Sequence, residues 1–256
     1  MPVILESARW LLSVALVSLS ATAPPAPCPQ AAAGTDTATV ILLHGLGRTT
    51  QSMLPMERAL EGRGYRVVNL GYPSRTHSIA ELVDTLDRAL EVCCAGGVPV
   101  HFVTHSLGGI LVRAYAARHG VARIGRVVML SPPNAGSEVV DRLDDTPGLA
   151  WLLGPAFMQL GTDSTAVPRV LGPPEFEVGV ITGEASLNPL FSWWLPGRDD
   201  GKVTVESARV DGAAGFLVVP YTHGFLMRRE EVIEQVAAFL GTGRFADAGE
   251  LPEVRR

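Results

Sequence analysis

Val98-Pro99-Val100-His101-Phe102-Val103-Thr104-His105-Ser106-Leu107-Gly108-Gly109-Ile110-Leu111-Val112 is the stretch on which the fold turns. Up to Thr104 it is rich in branched and aromatic residues, as a buried strand is. From Leu107 to His119 the apolar residues recur at helical spacing. Only a sharp turn fits between the two, and it carries Ser106. A strand, a tight turn and a helix in immediate succession are the unit from which parallel sheets with covering helices are built.

Working outward, the same alternation recurs. Short apolar runs stand at 38–43, 66–70, 125–130, 177–181 and 216–219, and segments of helical period at 52–61, 79–92 and 231–240. Right-handed crossovers between them give an α/β fold with a mainly parallel central sheet and helices on both faces. The segment 143–174 departs from the pattern. Five prolines (Pro147, Pro155, Pro168, Pro173 and Pro174) interrupt short apolar pieces, which reads as a small cap-like insertion over the carboxyl edge of the sheet.

At 256 residues with 47% hydrophobic content and 27 glycines, one compact domain is expected, over 37–242 with a tail at 243–256. A formal charge of −5 leaves no basic footprint, so nucleic acid is not an expected partner. Residues 1–23 have the outline of a signal peptide: Arg9, an apolar run from Trp10, then Ala21-Thr22-Ala23 before Pro24-Pro25. Export to the periplasm or medium after cleavage is the first reading, an uncleaved membrane anchor the second and a cytosolic amphipathic leader the third. Residues 24–36, rich in Pro and Ala, read as a linker. Three cysteines, Cys28 and the adjacent Cys93 and Cys94, make no disulfide framework, and the spacing of zinc ligands is absent. No metal and no cofactor is expected.

Four segments carry chemistry. Ser106 in its turn has the setting of a nucleophile elbow, in which a strained backbone exposes the hydroxyl and Gly108 lets the helix pack close. The bland alternative is a serine capping a helix, and Thr104 stands where the motif G-x-S-x-G has glycine. His44-Gly45-Leu46-Gly47 follows the first strand, so the Leu46 and Leu107 amides could form a two-donor oxyanion hole. His44 itself is expected to orient that loop. His223, directly after the last strand, suits a general base better than His77, His101, His105 or His119. An acid should lie between serine and histidine in the chain, and Asp200 fits, with Asp199 and Glu206 as rivals and Asp144, Asp145 and Asp163 in the insertion less suited.

Together, His44-Gly45-Leu46-Gly47, Thr104-His105-Ser106-Leu107-Gly108-Gly109, Ser131-Pro132-Pro133-Asn134-Ala135-Gly136-Ser137-Glu138 and Asp199-Asp200-Gly201-Lys202-Val203-Thr204-Val205-Glu206-Ser207 resemble the bacterial lipase and esterase branch of the α/β-hydrolases, from Thr37 to Phe239. The resemblance implies a triad of Ser106, Asp200 and His223, no metal, and acyl-ester substrates. It also implies the choice of Asp200 over Asp199, because the acid precedes Gly-x-Val. Trp151, Phe157, Met158, Trp193 and Trp194 are candidate substrate-binding residues, although apolar residues of this kind serve equally as core. The expected partner is a small acyl ester or lipid, with contact to a membrane or lipid interface left open. An acyltransferase or thioesterase would need the same triad, and a non-catalytic binding module could use the same scaffold.

Overall fold

The computed structural model describes residues 38–94, 97–144, 153–187 and 189–247, without the side chains of residues 144 and 189–191. The expected leader and linker, Cys28, Asp145 and Trp151 lie outside the described residues.

Six strands form one sheet: β1 (Thr39–Leu43), β2 (Arg66–Leu70), β3 (Val100–His105), β4 (Ile124–Leu130), β5 (Val178–Gly183) and β6 (Gly215–Val219). Their order is β2-β1-β3-β4-β5-β6, and all five pairings are parallel. The helices are α1 (Leu54–Glu61), α2 (Ile79–Cys93), α3 (Leu107–His119), α4 (Glu138–Asp144), the short α5 (Pro155–Met158), α6 (Val167–Val170), α7 (Pro189–Trp194) and α8 (Val205–Ala208), and finally α9 (Glu230–Thr242). The chain reverses its order across the sheet after β2, and the crevice beside that reversal lies at the carboxyl ends of β1 and β3, where open α/β sheets bind ligands.

The unbroken apolar runs of the strands follow from burial on both faces. Ile41, Leu43, Phe102, Val127, Met129, Val178 and Val180 point to one side and pack with α2 and α3. Val40, Leu42, Val103, Val128, Leu130 and Ile181 point to the other and meet Met56, Leu60, Val232, Val236 and Phe239 of α1 and α9. Two-residue periodicity within each strand therefore feeds two cores. Ser78 and Glu81 cap α2 reciprocally, the Ser78 amide donating to Glu81 Oε2 at 2.7 Å.

Two boundaries differ from the sequence reading. The helix expected from Ser52 begins as a 3-10 turn at Thr50–Met53 and becomes α1 only at Leu54, because Pro55 has no amide to give and is tolerated only in a first helical turn. The expected tail at 243–256 is not free of the domain over its described part. Gly243, at φ +79°, reverses the chain; Ala246 then exchanges two hydrogen bonds with the Gln235 side chain, and Phe245 packs on Phe239 with ring centroids 5.0 Å apart.

Candidate active site

Ser106 stands between β3 and α3 at φ 53°, ψ −120°, a region L residues avoid. Two constraints hold it there. Its amide donates to the Leu130 carbonyl at 2.8 Å, continuing the β3–β4 ladder one residue past the strand. Behind it, α3 runs so close to β1 that a Cβ on Gly108 would lie 2.8 Å from the Leu43 carbonyl oxygen. The helix can start where it does only because residue 108 has no side chain. Ser106 makes no side-chain capping bond to α3, so its hydroxyl is not spent as a helix cap.

Thr104, the residue that replaces the motif glycine, is fully buried, and its hydroxyl has no hydrogen-bond partner. The turn accommodates it because β3 remains extended through His105, so the threonine is a strand residue and the strain within this turn falls on Ser106.

His223 and Asp200 meet from two loops. His223 Nδ1 donates to Asp200 Oδ2 at 2.8 Å, and the His223 amide donates to the Asp200 carbonyl at 2.9 Å. Asp200 Oδ1 accepts from the Lys202 and Val203 amides at 3.0 and 2.9 Å. The carboxylate is thus held by three donors and is 1% exposed. An ionised acid so held fixes the imidazole with its proton on Nδ1, leaving Nε2 as a base. Asp199, the rival, turns the other way: its Oδ1 accepts from Ser192 Oγ and the Gly201 amide, which shapes the loop. Glu206 is exposed and pairs with Arg209, and Asp163 is bound to Thr165 within its own exposed turn.

A cavity of about 490 Å³ brings Ser106 and His223 into one wall. Leu46 and Gly47 border it from the loop after β1, and Val139, Val140, Leu143, Leu153, Phe157 and Leu160 give it an apolar side. Neither the Leu46 nor the Leu107 amide donates to a described protein acceptor. Leu107, the first residue of α3, keeps its side chain in the core. His44 orients the β1 loop as expected. Its Nδ1 donates to the Gly45 carbonyl at 2.9 Å, its ring stacks on Tyr72 at 4.2 Å, and burial lowers its pKa.

The other histidines have structural partners. His77 contacts Thr76 at the surface, His101 accepts from the Arg126 amide, and His119 stacks on Tyr115. His105 does more than fill space: Nε2 donates to the His223 carbonyl at 2.8 Å, and burial drives its pKa well below the ordinary imidazole value. Its position next to the serine was the one signal of this in the sequence.

Of the substrate-binding candidates, Phe157 lines the cavity. Met158 and Trp194 are not in its wall, and Trp193 is 81% exposed on α7. Apolar composition marks a segment as near the site but not which way each turn of a short helix faces. Arg113, unmarked in the sequence reading, is buried and donates to the Asn134, Pro168 and Gly172 carbonyls. It ties α3 to the loop after β4 and to the insertion. Arg48, Arg75 and Lys202 also border the cavity. Among the described residues, no group of three or more His, Cys, Asp and Glu side chains could hold a metal, and no helix is long and apolar enough to cross a membrane.

Comparison with known proteins agrees with this architecture. Among solved structures, the chain is similar to the mature form of the lipase BlEst2 from Bacillus licheniformis, with TM-score 0.63 and 19% identity over 86% of this chain and 97% of that one. It is also similar to the phospholipase PlaB from Legionella pneumophila, with TM-score 0.58 and 16% identity over 79% of this chain and 57% of that one. A metagenomic carboxyl esterase, MGS0156, matches with TM-score 0.55 and 18% identity over 79% of this chain and 68% of that one. At such identities the likeness is one of fold. No curated protein sequence matches significantly. The family model described as "Alpha/beta hydrolase family" matches residues 40–248. With most of its length covered by that match, the chain belongs to the alpha/beta hydrolase family.

Proposed function

We propose that the protein is a serine-dependent carboxylic ester hydrolase in which Ser106 is the nucleophile, His223 the general base and Asp200 the acid that orients it. The observation that carries this reading is the juxtaposition of a strained Ser106 and His223 in one cavity wall, with His223 Nδ1 held by Asp200 at 2.8 Å.

In the proposed cycle His223 Nε2 takes the Ser106 hydroxyl proton as Oγ attacks the ester carbon. The Leu46 and Leu107 amides receive the oxyanion, and the positive end of α3 favours it further. The alcohol leaves with the proton from His223. Water, activated by the same histidine, then releases the acid from the acyl-enzyme. Val139, Val140, Leu143, Leu153, Phe157 and Leu160 offer an apolar wall for the acyl chain. Similarity to a lipase, a phospholipase and a carboxyl esterase is consistent with ester or lipid substrates. The outline of residues 1–23 favours export, which N-terminal sequencing of the mature protein would test.

The deciding experiment compares wild type with Ser106→Ala across short and long p-nitrophenyl esters, thioesters and amides. Turnover of the oxygen esters that falls by about 10⁴-fold or more in a folded Ser106→Ala protein supports the reading. Unchanged turnover overturns it, and a fluorophosphonate that labels wild type but not the variant gives an independent check.

A further inference from the structure

We infer that the preferred substrate is an acyl ester whose alcohol portion carries an anion of the phosphate type, received by Arg48 and Lys202 at the mouth of the cavity. The inference rests on the ester-hydrolase reading and narrows its substrate class.

The cavity has two unlike sides. Its apolar side comes from α4 and the insertion, whereas its other side comes from the loops after β1 and β2 and from the Asp200 loop, which contribute Arg48, Arg75 and Lys202. Among the described residues, no Asp or Glu lines it. Neither the Arg48 guanidinium nor the Lys202 ammonium has a hydrogen bond or ion pair with another described residue. Asp200, the carboxylate that acts on Lys202, already takes His223 and two amides on its two oxygens.

The charged neighbours of these groups are mostly cations. Arg48 lies against the backbone just past His223, since a Cβ on Gly224 would be 2.9 Å from its Nη2. Partial burial and Arg228 both push its pKa down. Lys202 is pushed down by desolvation and by Arg48 and up by Asp200. Half-buried Arg48 and exposed Lys202 thus stand together with Asp200, already engaged by His223, as the carboxylate acting on Lys202, and cations so placed beside the nucleophile are suited to an anion arriving with the substrate. A guanidinium and an ammonium together match a phosphate better than a neutral glyceride.

The acyl chain then takes the apolar side and the anionic alcohol the cationic side. Ser106 Oγ forms the new bond to the carboxyl carbon, and the bond from that carbon to the alcohol oxygen breaks. The alcohol leaves with the proton relayed by His223, its phosphate untouched, and water later releases the fatty acid.

The test measures kcat/KM for 1-decanoylglycerol 3-phosphate and 1-decanoylglycerol as monomers, in wild type and in an Arg48→Gln/Lys202→Gln double variant. Mono-4-nitrophenyl glutarate against 4-nitrophenyl pentanoate examines an anion on the acyl side, and 4-nitrophenyl butyrate reports basal esterase activity. A preference of about tenfold or more for the phosphate ester is expected, weakening with added salt and falling by about tenfold in the double variant. Equal or better turnover of the neutral glyceride overturns the inference while leaving the esterase reading intact. So does a preference that the double variant retains, or one confined to the glutarate. No turnover of any ester, 4-nitrophenyl butyrate included, overturns the esterase reading itself and the inference with it.

Discussion

His105 Nε2 donates a hydrogen bond to the backbone carbonyl of His223, 2.8 Å away, so the residue before the serine supports the loop that carries the histidine. The rings of the two lie tilted at 4.7 Å. A carbonyl can only accept, so the proton of His105 is on Nε2 and Nδ1 is bare. Nδ1 has no partner and faces Gly45, where a Cβ would come within 2.6 Å. The elbow, the β1 loop and the His223 loop therefore meet at one neutral imidazole, which holds them together at the edge of the cavity.

Replacing His105 by Phe keeps a ring of similar size and strands the His223 carbonyl. A buried carbonyl that loses its donor costs about 1–3 kcal/mol of stability. Because the His223 loop loses its support, kcat should fall by about tenfold or more with KM little changed. Steady-state kinetics alongside urea denaturation checks both; a stability loss with unaltered kcat would mean that His105 is only packing.

The two adjacent aspartates predict opposite outcomes. Asp200→Asn should lower kcat by about 10⁴-fold, since the amide cannot hold His223 as the carboxylate does. Asp199→Asn should lower it far less, because Asp199 binds Ser192 and the Gly201 amide and does not reach His223. Parallel assays of the two variants decide the matter, and a larger loss at position 199 would reverse the assignment.

The sheet was legible because burial on both faces writes strands as continuous apolar runs, and β3 with α3 could be read almost residue by residue. Chain order and strand-end placement marked Ser106, His223 and the Asp199-Asp200 pair as candidates, and only the resemblance to bacterial lipases and esterases separated Asp200 from Asp199. The residues that support them were not legible. His105 acts through a carbonyl 118 positions away in the chain, and Arg113 through carbonyls in two loops, those of Asn134 and Gly172, contacts that local pattern does not encode. Trp193 misled for the opposite reason: it has the composition of a pocket wall but stands on the outward side of a six-residue helix.

Gly108→Ala should damage the elbow more than a helix propensity scale suggests. Alanine is the better helix former by about 1 kcal/mol, yet its methyl would fall 2.8 Å from the Leu43 carbonyl oxygen and 3.0 Å from the Leu43 Cβ. We expect a net destabilisation of about 1–3 kcal/mol, as for other overpacked sites, and a loss of activity as α3 shifts and carries Ser106 with it. Thermal melts that show a stabilised protein would contradict the close packing of α3 on β1.

Thr104→Val tests whether the departure from the glycine motif is a matter of shape or of polarity. The threonine hydroxyl is buried and unpartnered, so replacing it with a methyl removes a desolvated polar group at nearly constant volume. Stability should hold or rise by up to about 1 kcal/mol, with activity preserved. Thr104→Gly should instead open a cavity in the sheet and cost stability despite restoring the motif, and a denaturation series that ranks Gly above Val would show that the turn, not the packing, limits this site.

Acid should destabilise the fold through histidines that full or partial burial keeps neutral. Burial is the first cause of the lowered pKa of His44, His101 and His105, most strongly in His105, where the His223 and Arg48 charges add to it. The unfolded chain therefore binds protons that the folded one refuses as pH falls below the ordinary value of 6.5. Stability is fully present above that value and declines below it, until the pH reaches the depressed folded-state values. His105→Phe removes one such group. Its unfolding free energy, measured by urea at a series of pH values from 7.5 to about 5, should start lower than wild type and fall with a slope shallower by up to one proton. A slope equal to that of wild type would place the proton uptake on His44 and His101 and would show that His105 can accept a proton without breaking its bond to the His223 carbonyl.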